Sequence, residues 1–141
     1  MTDTSYLSRT IQLPATLATQ VFAVCRADRL RHSPDPGWWS VATTGGAMLR
    51  LDRGTPRTGM YLHSCRGVAR LGRTRRVRID LELNRWSRDM CELGVLFGRS
   101  AVSPRLHEAV GVTLDALADE VELRGLLAVQ PEHETAVAAL L

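Results

Sequence analysis

The stretch "ARLGRTRRVRIDLEL" occupies Ala69–Leu83, and its reading decides the fold. Its first half is rich in arginine, with six arginines between Arg66 and Arg78. Its second half alternates. Val77, Ile79, Leu81 and Leu83 take every second position, and Arg76, Arg78, Asp80, Glu82 and Asn84 fall between them. Successive side chains of a strand point to opposite faces, so this alternation predicts a half-buried strand. Taken alone, the arginines suggest a nucleic-acid patch. Placed on a strand, they form the solvent row and run into two carboxylates. Outward charges of both signs also deter edge-to-edge association.

The same period recurs on either side. "YLSRTIQLP" sets Leu7, Arg9, Ile11 and Leu13 on one face, with one charge among the apolar side chains. "TGMYLHSCRGVARL" sets Tyr61, His63 and Cys65 on one face, with Gly67 expected at a bulge. "GGAMLRLDRG" holds a short strand with Leu49 and Leu51 together, and "MCELGVLFGR" turns Cys91, Leu93, Val95 and Phe97 inward.

Two stretches read as helices. "ATLATQVFAVCRADRL" carries Leu17, Val21, Val24 and Cys25 at helical spacing, with Thr16 as its expected cap. "SPRLHEAVGVTLDALADEVELRG" begins with Ser103 at the cap and Pro104 at the first helical position. Leu106, Val110, Leu114, Leu117 and Val121 form its apolar stripe, and Glu108, Asp115, Asp119 and Glu122 its acidic one. Arg124 and Gly125 are expected to close it. One domain over residues 1–125 is expected, with 126–141 as a tail that adds a short helix. The order predicts an α+β chain: an antiparallel sheet buried on one face and covered by the long helix.

The 141 residues suffice for one core. There is no signal-peptide-like start and no apolar run of membrane-span length, so a cytoplasmic location is expected. Three widely spaced cysteines do not form a disulfide pattern. All 18 basic residues are arginine. Residues 1–65 carry seven arginines against four acids, residues 66–105 ten against four, and residues 106–141 one against seven. A dedicated nucleic-acid binder would keep its positive field uncancelled, so no nucleic acid is expected as a partner. Contact with an anionic protein fits better, and the charge split permits a homodimer.

With these elements in order, the chain resembles the START-like, or SRPBCC, superfamily, and more narrowly its small polyketide-cyclase/dehydrase-like members. "RTIQLPATLATQVFAVCRADRL", "PDPGWW", "RVRIDLELNRWSRDMCELGVLF" and the last helix carry the resemblance. It implies a helix-grip fold, a curved antiparallel sheet gripping the C-terminal helix over an apolar cavity. It also implies an apolar ligand, polyketide- or lipid-like, with cyclase or dehydratase chemistry as an alternative. A protein-interaction domain with a degenerate cavity is a third reading. The superfamily supplies no catalytic motif to carry over.

Candidate residues follow from the expected inner face. Tyr61, His63 and Cys65 would place a phenol, an imidazole and a thiol among apolar walls. His63 would serve as acid or base, with Tyr61 and Arg9 as further catalytic candidates. Arg9 suits a carboxylate or enolate oxygen. Trp38 and Trp39 would form an aromatic lip at an entrance or plug the end of the sheet. Cys91, Leu93, Val110 and Leu114 complete the expected ligand wall. Each has a structural alternative: a core thiol, a core histidine, or an arginine reaching the rim. His63, Cys65 and Cys91 lack the paired spacing of a metal site, so no metal and no cofactor are expected.

Overall fold

The computed structural model describes residues 6–31, 37–38, 45–52, 55–56, 61–71, 76–98 and 102–140; for residues 30, 55–56, 61–62 and 129–140 it describes the backbone alone. The elements run β1 (Tyr6–Ile11), α1 (Ala15–Arg31), β2 (Met48–Leu51), β3 (Thr55–Pro56), β4 (Tyr61–Arg70), β5 (Val77–Ser87), β6 (Met90–Phe97) and α2 (Pro104–Leu140).

The alternating stretch becomes β5, the central strand. Its partners are antiparallel, β6 on one side and β4 on the other. The sheet order is β1-β6-β5-β4-β2, with β3 also on β4. Register aligns the apolar positions across the sheet: Cys65 with Leu81, Leu81 with Val95, Leu83 with Leu93, and Leu93 with Arg9. One face therefore collects Leu49, Cys65, Ala69, Val77, Ile79, Leu81, Leu83, Leu93 and Val95, all buried. Both helices lie on it. α2 packs on β1 and β6, and α1 on β4, β5, β6 and α2. The expected α+β architecture, a curved antiparallel sheet with a long C-terminal helix, is observed.

The caps decide where the helices begin. Ser103 Oγ accepts the Leu106 N–H at 3.2 Å, as its cap position requires. For α1 the expected cap is displaced. The helix starts at Ala15, and the Pro14 carbonyl accepts the Ala18 N–H at 2.9 Å. Its buried row is Ala18, Val21, Phe22 and Cys25, while Val24 is 57 % exposed. Phe22, the bulkiest apolar side chain of α1, turns the helix away from the row that includes Val24.

α2 passes through Gly125 without ending. A Cβ at Gly125 would meet Leu13 Cδ1 at 2.4 Å, so the glycine admits the chain after β1 instead of closing the helix. Its 37 residues extend about 55 Å, against about 36 Å for the 11 residues of β5. The helix therefore overshoots the sheet. The irregularity of β4 lies between Tyr61 and His63 and not at Gly67. At Gly67 a Cβ would sit 2.0 Å from the Arg50 carbonyl oxygen, which explains that glycine by close approach of β2. Among the described residues no helix is long and apolar enough to cross a membrane.

Candidate ligand site between sheet and helix

The wall is built from alternate residues of the sheet and every third or fourth residue of α2. Leu81, Leu83, Leu93 and Val95 face Leu106, Val110, Leu114, Leu117 and Val121, and all belong to one core. Leu93, Val110 and Leu117 are 0 % exposed, and Leu114 1 %. A side chain bordering a void large enough for water would keep open surface. These four side chains keep almost none, so among the described residues they pack against one another and border no such void.

Polar groups meet this wall at four places. Thr113, 1 % exposed, accepts the Ala47 N–H at 2.8 Å and donates to the Ala47 carbonyl at 2.9 Å. Its hydroxyl ties the approach to β2 onto α2. Glu120 joins the two helices. It accepts from Arg29 at 2.9 Å and from Arg124 at 3.1 Å, and Arg124 also reaches Asp28 at 2.7 Å. Arg9 pairs with Asp115 at the β1 edge, and its Nη1 donates to the Ser8 carbonyl at 2.6 Å. His63 stands half-buried beside Phe22 of α1, with ring centroids 6.0 Å apart and tilted by 58°.

The thiols are ordinary buried groups. Burial pushes Cys25 and Cys65 up to about 11 and raises Cys91 too. The Cys91 thiol donates to the Leu13 carbonyl at 3.4 Å. A thiol held protonated is a poor nucleophile and a poor metal ligand. Among the described residues no three His, Cys, Asp or Glu side chains converge on a metal position.

The expected set is therefore partly assembled. His63, Cys65, Cys91, Leu93, Val110 and Leu114 share the inner face. Tyr61 pairs with Asn84, and the register shift separates it from His63, so the simple alternation between them fails. Arg9 has the expected face but not the expected freedom. Its side chain is 42 % exposed and already engaged by a carboxylate. Trp38 is neither lip nor plug of this wall. It lies apart from the core, under arginines of the opposite face. Trp39 lies outside the described residues. Sequence reading missed Thr113 and Phe22. It also missed the Asp28–Arg124–Glu120–Arg29 network, of which only the four-residue spacing of Glu120 and Arg124 was visible.

No family model matches the sequence, and no curated protein matches it. Among solved structures, the crystal structure of Ara h 8.0201 is similar, with a TM-score of 0.50 and 13 % identity over 86 % of this chain and 95 % of that one. This chain has the helix-grip fold. The likeness concerns the fold.

Proposed function

We propose that this helix-grip chain binds an apolar small molecule between the inner face of the sheet and α2. The observation that carries the reading is the wall itself: aliphatic side chains of β5, β6 and α2 face one another, and the charged groups stay at its edges. The fold likeness is consistent with it. A polyketide- or lipid-like compound fits the chemistry of the wall.

The packed state sets a condition. A ligand enters only when α2 moves outward, so its affinity is reduced by the fraction of molecules that are open. The enzymatic alternative draws no support from the geometry. Arg9 is neutralised by Asp115, burial raises the pKa of the thiols, and His63 is half-buried beside Phe22.

Native mass spectrometry of freshly purified protein, with thermal shifts against a long-chain fatty acid, a sterol and an aromatic polyketide, tests the reading. A bound species of defined mass is expected. So is a melting point that rises with ligand concentration by mass action. Leu114→Trp, which crowds the wall, should weaken the effect. An empty protein that none of the three compounds stabilises refutes the proposal.

A further inference from the structure

Trp38 is 4 % exposed and yet stands apart from the apolar core. Three guanidinium groups cover it: Arg70 of β4 at 4.0 Å from its ring centroid, Arg76 just before β5 at 5.3 Å, and Arg50 of β2 at 5.9 Å. These arginines neighbour Leu49, Ala69 and Val77, which are buried on the inner face. Their own side chains therefore stand on the outer face.

Arg78 continues the same row from Arg76. Register sets Arg50 opposite Val68 and Val68 opposite Arg78, so Arg50 and Arg78 flank one residue of β4 at about 10 Å. Arg50, Arg76 and Arg78 are exposed, and none of them makes an ion pair among the described residues. Positive charges gathered this closely repel one another. The Trp38 ring offsets part of that repulsion. A guanidinium stacked on a ring also keeps its N–H donors at its rim, where a carboxylate can take them in pairs.

The patch is short. In the next row Arg66 stands opposite Asp80, and beyond it Glu82, Asn84 and Glu92 occupy the same face. The outer face is basic at one end and acidic at the other.

We propose that the basic end docks an acidic, extended segment of a partner protein. In an extended chain, alternate side chains recur about every 7 Å along one side. That is the spacing of Arg76 and Arg78, two residues apart at the start of β5, so carboxylates at alternate positions meet both arginines. A nucleic-acid strand fits less well. Trp38 is covered and unavailable for stacking on bases, and a short acidic segment can end before Asp80 and Glu82. This surface is on the opposite side of the sheet from the apolar wall.

The test is fluorescence anisotropy with a labelled tripeptide Glu-Ser-Glu, short enough for the patch, against Gln-Ser-Gln. The acidic peptide should bind and the neutral one should not. Arg50→Glu with Arg78→Glu should weaken binding by at least about tenfold, and raising the salt should weaken it further. Arg76→Gln is the milder variant and should weaken binding by about threefold. Circular dichroism checks that both variants fold. Unchanged binding in the variants overturns the proposal. So does tighter binding, at equal salt, of a single-stranded oligonucleotide of the same charge or of phosphatidylserine vesicles. A salt-sensitive dimer of the protein abolished by the same variants also overturns it, since the occupant would then be a second copy of this chain.

Discussion

Thr113→Val removes one hydroxyl from the middle of α2 and leaves the volume almost unchanged. In the wild type that hydroxyl serves both backbone groups of Ala47, at 2.8 Å and 2.9 Å, and Ala47 is itself buried. After the change the Ala47 N–H still reaches the Ala109 carbonyl at 3.2 Å. Among the described residues the Ala47 carbonyl has no such second partner. An unsatisfied buried acceptor costs about 1–3 kcal/mol, and the added apolar methyl returns part of it. The expected net loss is about 1–2 kcal/mol, which for a chain of 141 residues lowers Tm by about 3–7 °C. Thr113→Ser keeps both hydrogen bonds and loses one methyl group, so it should lose about 1 kcal/mol. Thermal and urea unfolding of the three proteins would measure this, with an unchanged urea slope as the check that the unfolded states are comparable. Amide exchange at Ala47 should quicken in the valine variant and not in the serine variant. A valine variant as stable as the wild type, or more stable than the serine variant, would refute the argument that this hydroxyl holds the start of β2 on α2.

Gly67→Ala should cost more than about 2 kcal/mol, because the new Cβ meets the Arg50 backbone oxygen and no side-chain rotation relieves it; loss of exchange protection in Met48–Leu51 is the readout. Asp115→Asn should cost under about 1 kcal/mol, since both members of the Arg9 pair are nearly half exposed. Glu120→Gln should cost more, about 1–3 kcal/mol, because Glu120 is 13 % exposed and serves two arginines; urea unfolding ranks the two, and the reverse order would contradict the network's role. Folded Cys25 and Cys65 ionise near 11, while unfolded thiols ionise near about 8.5. Folding therefore retains their protons: their contribution is fully present below about pH 8.5 and is lost as pH rises toward 11. The urea midpoint should fall over that window, and the native thiols should resist a thiol reagent at neutral pH until the protein unfolds.

The sheet was legible because β5 obeys one period over eight residues without interruption. Val77, Ile79, Leu81 and Leu83 all went where alternation sends them, as did Cys91, Leu93, Val95 and Phe97 of β6. Ser103 and Pro104 marked the start of α2 for local reasons that hold in any fold. What failed depended on contacts between distant segments. Gly125 looks like a helix terminator in isolation, and only the approach of Leu13 shows otherwise. Gly67 looks like a bulge until the Arg50 carbonyl is placed beside it. Trp86 falls at the register shift between Arg85 and Ser87 near the end of β5 and is 63 % exposed. The candidate site fared likewise. Alternation put His63 and Cys65 on the inner face, but it could not foresee the shift at Tyr61, the Asp115 partner of Arg9, or the arginines over Trp38.

The three polar ties around α2 differ in burial, and that difference orders how the helix can lift. Thr113 is sealed in the core, and Glu120 is mostly covered between the two helices. The Arg9–Asp115 pair is open to water. Water can replace an exposed ion pair at little cost, but it cannot reach a sealed hydroxyl without breaking the packing around it. Local opening is therefore expected to begin at the β1 edge, where even a Cβ added at Gly111 would lie 3.9 Å from Leu7 Cδ1, and to spread toward Thr113 only at higher free energy. On the proposed reading, an apolar ligand enters beside Arg9. Arg9 then governs access to the wall instead of chemistry within it, and the charge expected to bind the ligand becomes part of the latch that admits it.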